Sequence, residues 1–243
     1  PFQANGANLA VHESFAYTAA SALSGQAGGS GFSAAWQDGN ASVASGSLAY
    51  TDASGLTLES SGNHAVATPN TRLHRPLANA RGADGTTTYV SFIADPGDNA
   101  HFWGVEFWNG NPDQTDRVLQ IGNETGFGVR VRNDTNKFFS QTDSNSHFFV
   151  VKIEHLAGND AVSVWIDPPL ASEPSAPDLS FTPAESGGFV AFNRIGLGNF
   201  GTPSSQAIDE LCIGNDWNSV TPHPEDFPNF ELVAGEGDAD NAA

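Results

Sequence analysis

A chain of 243 residues with a net charge of −19 and nine lysines and arginines repels phosphate backbones and anionic membrane surfaces, which argues against nucleic acid as a partner. The single cysteine, Cys212, rules out an intrachain disulfide, and no apolar run approaches the roughly 18 residues of a membrane-spanning helix. Charged residues make up 15% of the chain beside 26 glycines and 17 phenylalanines, a composition suited to one large β domain with a substantial core under a polar, uncharged surface.

Short alternating apolar runs divided by Gly, Asn, Asp and Pro follow one another along the chain. The opening "PFQANGANLA" starts without Met and has the character of a product left after an export signal is removed; the expectation is a secreted or cell-surface protein. Residues 1–10 are taken as an N-terminal extension. Strands are then predicted over "VHESFAY" (11–17), "GFSAAWQ" (31–37), "NHAVAT" (63–68), "TTYVSFIA" (87–94) and "HFWGVEFW" (101–108). The second half adds "RVLQIGN" (117–123), "GFGVRVRN" (126–133), "HFFVVKIEHL" (147–156), "AVSVWIDP" (161–168), "GFVAFNRIGLG" (188–198) and "AIDELCIG" (207–214). Turn chemistry separates them at "DPGDN", "NGNPD", "NDTN" and "AGND", so the pattern is that of an antiparallel sandwich over residues 11–220. "His74-Arg75-Pro76" is taken as a strand end. Residues 221–243 form a Pro-rich and then acidic tail.

The succession "ESFAYTAASALSGQAGGSGFSAAW", "GADGTTTYVSFIA", "VVKIEHLAGNDAVSVWIDP" and "FNRIGLGN…AIDELCIGNDWNSV" resembles the concanavalin A-like, laminin-G-like modules of secreted bacterial proteins, over roughly residues 12–220. The "IDEL" strand followed by a Trp is the most specific piece. The resemblance implies an all-β, two-sheet jelly-roll sandwich whose first strand, near Glu13, lies beside its last, near Asp209. It also implies binding or adhesion to glycans or surfaces, and a structural Ca²⁺ held by acids such as Glu13 and Asp209; loops 95–99 and 109–116 are rival calcium sites. Trp36, Trp165 and Trp217 are expected to be structural, and Cys212 a small buried hydrophobe.

The most chemically suggestive stretch is "FWGVEFWNG" (102–110). On a strand, Trp103, Val105 and Phe107 share the core face, and Phe102, Glu106 and Trp108 point the other way. A carboxylate among exposed rings suits sugar recognition, because rings stack on CH faces and carboxylates accept hydroxyl protons. Trp108 is the expected exposed aromatic. Arg130 and Arg132 share a strand face where they can clamp a carboxylate or sulfate bidentately, or pair with Glu106; His101 and Gln120 can join either arrangement. Glycanases of this fold carry paired acids on one strand, as in E-x-D-x-x-E, whereas this strand carries one, so Glu106 is a weak catalytic candidate. The seven histidines form no zinc pattern, and no nucleophile elbow or phosphate loop occurs. The three sequons at Asn40, Asn123 and Asn133 are treated as coincidental.

Three functions follow. The first is a secreted, non-catalytic carbohydrate-binding or adhesion module whose partner is a polysaccharide or cell-surface glycan. The second is a structural subunit of an extracellular layer or filament, a homo-oligomer assembling through its terminal segments. The third is a glycan-cleaving hydrolase or lyase using Glu106.

Overall fold

The apolar alternation is realised as fourteen strands in a computed structural model that describes residues 8–97, 102–123, 126–132, 136–140, 144–183, 190–200 and 205–223. No helix occurs among the described residues. The first strand, β1 (Leu9–Glu13), pairs antiparallel with the last, β14 (Gln206–Gly214), placing Glu13 opposite Leu211, so the two ends of the fold adjoin as the jelly-roll expectation required.

Eight strands form the larger sheet. Its order is β12 (Leu179–Phe181), β11 (Ala161–Ile166), β10 (His147–Glu154), β5 (Thr87–Asp95), β14, β3 (His64–Ala67) and β2 (Ala41–Ala44), with β1 also on β14. Six strands form the other, in the order β4 (Thr71–Arg81), β13 (Phe192–Phe200), β6 (Phe102–Trp108), β7 (Arg117–Asn123), β8 (Phe127–Val131) and β9 (Lys137–Phe138). Every pairing is antiparallel.

The main core lies between the sheets. Trp103, Val105 and Phe107 of β6 meet Val90, Phe92, Phe149 and Val151 of the larger sheet. A second apolar cluster covers that sheet's other side, where Tyr89, Phe148, Val150, Trp165 and Cys212 lie under Leu58, Leu170, Trp217 and Val220. Burial on both faces explains why residues 147–151 are all buried and show no alternation. The expected structural roles of Trp36, Trp103, Trp165, Trp217 and Cys212 hold, since all five are buried.

Two differences from the sequence expectation have local causes. Residues 31–37 form no strand; they run along β4 through isolated bridges, Phe32 to Leu77 and Gln37 to His74. Conversely β4 continues through Pro76, which was expected to end a strand. It lies at the edge of its sheet, where a residue without an N–H is tolerated. Of residues 221–243, the described part, 221–223, is buried, and the Thr221 hydroxyl donates to Leu170 O at 3.2 Å. Residues 1–7 and 224–243, and with them the expected assembly through the termini, lie outside the described residues.

Glu13 ends β1 and ties the surrounding loops to it. Its carboxylate accepts the Phe15 N–H (3.0 Å), the Tyr17 hydroxyl (2.7 Å), the Trp36 indole N–H (3.0 Å) and the Arg75 guanidinium. Glu13 and Arg75 are both buried, and Arg75 also lies 3.9 Å over the Phe32 ring. Loop 45–60 has a comparable anchor in Asp52. Burial pushes its pKa up, but hydrogen bonds from Ser54, Leu170 and Leu56 outweigh that and bring it down to about 2.

Candidate functional site

The strand period of two turns Phe102, Gly104, Glu106 and Trp108 of β6 away from the main core, onto the outer face of the six-stranded sheet. Register then sets their neighbours. Gly196, Glu106, Gln120 and Arg130 lie side by side across β13, β6, β7 and β8, with His74 of β4 beyond Gly196. In the next row stand four glycines, Gly198, Gly104, Gly122 and Gly128, with Arg72 at one end and Phe138 at the other. Strands about 4.8 Å apart make this a floor without side chains some ~14 Å across. On its far side, Phe200 and Phe102 pair with ring centroids 5.4 Å apart.

Half of that floor is covered. A Cβ on Gly198 would lie 2.5 Å from Glu106 Oε2, and one on Gly104 would lie 2.7 Å from Gln120 Cγ, so glycine lets both side chains lie flat on the sheet. Glu106 is fully buried. Its carboxylate accepts Arg72 Nε at 2.8 Å and Nη2 at 3.3 Å, together with Arg117 Nη1. Arg72 stacks over Phe200 at 4.8 Å and Arg117 lies 5.7 Å from the Phe102 ring centre. Glu106 is thus charge-paired, but its ion-pair partners are Arg72 and Arg117 rather than the expected Arg130 or Arg132. Arg130 lies two strands away, beyond Gln120.

Trp108 is not the exposed aromatic. It is fully buried, its indole N–H donates to Asp113 O at 3.0 Å, and the His74 ring meets it edge-on at 6.5 Å. Loop 109–116 folds back over it because the Asp113 carboxylate accepts the N–H groups of Thr115 (2.8 Å) and Asp116 (2.9 Å).

In the other half Gly122 and Gly128 are buried as well, and exposure begins at Phe138. Gln120, Gly122, Gly126, Gly128, Arg130, Asn136 and Phe138 line a small dent of about 10 Å³, room for about one water. Gln120 is 1% exposed; its Nε2 donates to Trp103 O at 3.3 Å, and its Oε1 has no hydrogen-bond partner. An unsatisfied buried amide oxygen costs about 1–3 kcal/mol, and the indole nitrogens of Trp103 and Trp165 share that condition. Phe138 is 51% exposed, one of two large apolar side chains so exposed among the described residues, and its ring lies against Gly126. Arg130 has its pKa pulled down by burial and then by the Arg117 guanidinium, against Glu106. Arg132 follows at the end of β8, its N–H on Val118 O at 3.1 Å. The expected contribution of His101 lies outside the described residues.

Phe138 was missed in the sequence because β9 has two residues, too few to show a period. The one signal is the doublet "FF" (138–139): adjacent residues of a strand face opposite sides, and Phe139 is in the core. A much larger groove, about 500 Å³, is lined by Arg81, Asn215 and the Ala, Gly and Thr residues of 80–88, with no aromatic side chain in its lining.

The carboxylates expected to hold calcium do not converge. Glu13 bonds Trp36 and Phe15 on the main-core side. Asp209 lies on the other side of β14, accepting from Ser47 Oγ (2.6 Å), Leu48 N (2.7 Å) and Glu210 N (2.9 Å). Loop 109–116 spends its Asp113 and Asp116 oxygens on its own N–H groups. No group of three or more His, Cys, Asp or Glu with metal-binding geometry occurs among the described residues.

Asp209 is instead a proton site. Burial raises its pKa to about 7 despite the hydrogen bonds from Ser47, Leu48 and Glu210. A carboxyl with a raised folded-state pKa contributes stability that is fully present below about pH 4 and lost as the pH climbs through 7. The stability of the wild type minus that of Asp209→Asn is expected to fall across this window by at most about 1.4 kcal/mol per pH unit, measured by urea unfolding at several pH values. A flat difference would mean that the three donors keep Asp209 ionised throughout.

No protein-family model matches the chain, and no curated protein matches it in sequence. Among solved structures, it is similar to domain 4 of an extracellular arabinanase (AbnA) from Geobacillus stearothermophilus, solved in complex with arabinotriose. That match has a TM-score of 0.52 at 17% identity and covers 88% of this chain and 96% of that one. The metal-free carbohydrate recognition domain of Emp46p gives a TM-score of 0.42 at 16% identity over 65% of this chain and 85% of that one. An arabinofuranosidase complexed with arabinofuranosyl-alpha-1,2-xylobiose gives 0.43 at 17%, over 74% and 41%. At these identities the likeness is one of fold: two antiparallel sheets packed as a sandwich.

Proposed function

We propose that this chain is a non-catalytic, glycan-binding module of the concanavalin A-like, laminin-G-like kind, acting outside the cell, and that its ligand packs on the outer face of the six-stranded sheet at Phe138. The observation carrying this is the half-exposed Phe138 ring beside the buried, unpartnered Oε1 of Gln120. A sugar offers a CH face on which the exposed ring can stack and hydroxyls for the polar groups around it. The arabinotriose-bound arabinanase domain of similar fold supports the same ligand class.

A cleaving activity through Glu106 is disfavoured. A general acid or nucleophile must reach the scissile bond, and this carboxylate is buried beneath two guanidinium groups.

Titration of a panel of soluble polysaccharides by calorimetry or affinity electrophoresis tests the proposal. Phe138→Ala is expected to weaken binding about tenfold, roughly 1.4 kcal/mol, while the melting temperature stays unchanged because the ring is exposed. Absence of binding across the panel, or undiminished binding by the variant, would refute it.

A further inference from the structure

The groove of about 500 Å³ has the size of a small-molecule site, for which about 300–1,000 Å³ is usual. It forms at one end of the sandwich, where the chain passes from the smaller sheet to the larger. Arg81 is the last residue of β4, Thr87 the first of β5, and Asn215 follows β14, the neighbour of β5. Gly82 makes the exit from β4 possible: its φ is 122°, and a Cβ there would lie 2.3 Å from Ala191 Cβ. The turn is then held by the Gly85 N–H on His155 O at 2.7 Å and the Thr86 N–H on Ala83 O at 3.1 Å. The groove is thus shaped by backbone that the two sheets fix.

Arg81 differs from the cations that anchor the fold. Arg72 and Arg117 share Glu106, Arg75 takes Glu13, and Lys152 takes Glu173. Arg81 enters no ion pair among the described residues. Its Nη1 donates to a neutral acceptor, Asn215 Oδ1, at 3.2 Å, and its Nε is buried with no hydrogen-bond partner. The acids closest in sequence are engaged elsewhere or point outward: Asp216 accepts from Asn8 and from the Ser219 N–H at 2.9 Å, and Asp84 stands on the exposed turn. Burial pulls the Arg81 pKa down. In a chain of 28 acids and nine lysines and arginines, a part-buried guanidinium without a carboxylate is the exception, and an anion that met it would offset its desolvation.

The remaining lining suits hydroxyl groups. Asn215 brings an amide, and Thr86 and Thr87 bring hydroxyls; that of Thr86 donates to Ala83 O at 2.6 Å, which leaves its oxygen free to accept. We infer that this groove is a second binding site, one that takes a hydroxylated ligand bearing a carboxylate or sulfate: the anion docks on the Arg81 guanidinium, and ligand hydroxyls meet Thr86, Thr87 and Asn215. A uronic acid, free or within a polysaccharide, and a sulfated sugar have this chemistry. The site stands apart from the glycan contact proposed at Phe138. β4 and β9 are opposite edges of the smaller sheet, five strand spacings or roughly 24 Å apart at ~4.8 Å each.

Calorimetric titration of the full chain with galacturonate, galactose 6-sulfate, polygalacturonate and neutral galactose tests the inference. At least one anionic probe is expected to bind about tenfold or more tightly than galactose, and to weaken as salt is raised from about 0.05 to 0.5 M. The two monosaccharides separate carboxylate from sulfate, and polygalacturonate against galacturonate separates a polymer from a free acid. Arg81→Gln is expected to remove the preference. Arg81→Lys, which keeps the charge but not the planar fork, should lower it by about threefold or more and gives the reading if the glutamine variant does not fold. Lys152→Gln, which removes an equal charge from the larger sheet, should leave it intact. Equal binding of galactose and every anionic probe, a preference that survives the Arg81 substitutions, or an equal loss in Lys152→Gln overturns this site. Each of those results leaves the binding of neutral arabinan or xylan, read separately, as the measure of the Phe138 contact.

Discussion

Glu13→Ala is expected to lower the stability of the folded chain by about 3–5 kcal/mol, the cost of leaving a buried cation without its partner. The carboxylate it removes holds four groups at once: the Phe15 N–H, the Tyr17 hydroxyl, the Trp36 indole and Arg75. Glu13 and Arg75 are each at most 2% exposed, so water cannot replace what is lost. The residue also sits where the chain leaves β1, and Phe15 there adopts a φ of 50°, a left-handed conformation that the hydrogen bond to Glu13 helps hold. Glu13→Gln keeps the shape and part of the hydrogen bonding, so it should cost less than the alanine variant. Urea unfolding monitored by tryptophan fluorescence measures both. A loss below about 1 kcal/mol for the alanine variant would mean that Arg75 and Trp36 find other partners, and that the loops do not depend on this residue.

Much of this architecture was legible because a half-buried strand announces itself by alternation. "TTYVSFIA", "RVLQIGN" and "AIDELCIG" became β5, β7 and β14 nearly as bounded. The strands that escaped notice did so for physical reasons. β4 contains Pro76, which is excluded from a central strand but not from an edge, and edge position is a property of the sheet rather than of the segment. β2, β9 and β12 have four, two and three residues, too short for a period of two to stand out.

The functional face was harder to foresee. Alternation put Glu106 and Trp108 on the outer side of β6, and that is where they are, but an outer face need not be a wet one. Arg72 comes from β4, separated from Glu106 by 34 residues, and the loop that covers Trp108 follows it in the chain. Neither closure leaves a local signature. The exposed position fell to Phe138, on the shortest strand, beside Gln120, whose unpaired oxygen depends on what its neighbours fail to reach. The in-register row of four glycines is spread over β13, β6, β7 and β8, so it too becomes visible only once the strands are paired.

Glu106→Ala is the second large expected effect, again about 3–5 kcal/mol of stability, and it separates a structural carboxylate from a catalytic one. Removing the side chain takes from Arg117, at 3% side-chain exposure, the carboxylate it pairs with, and deprives Arg72 of a two-point contact. It also opens space above Gly198, against which the carboxylate lies. A purely catalytic acid would behave in the opposite way, since sites that hold a reactive group in place commonly gain stability when it is removed. Replacing the whole set with apolar residues, as in Arg72→Met with Glu106→Leu and Arg117→Met, should recover most of the loss, because a buried ion network need not outperform a well-packed apolar cluster. Phe102 and Phe200 already supply apolar walls for such a cluster. If the single variant unfolds at lower denaturant and the triple variant does not, the network serves to select how β4, β6 and β7 are arranged rather than to add net stability. If Glu106→Ala is as stable as the wild type or more so, the carboxylate is held at a cost for some other purpose, and cleavage chemistry on this face would have to be considered again.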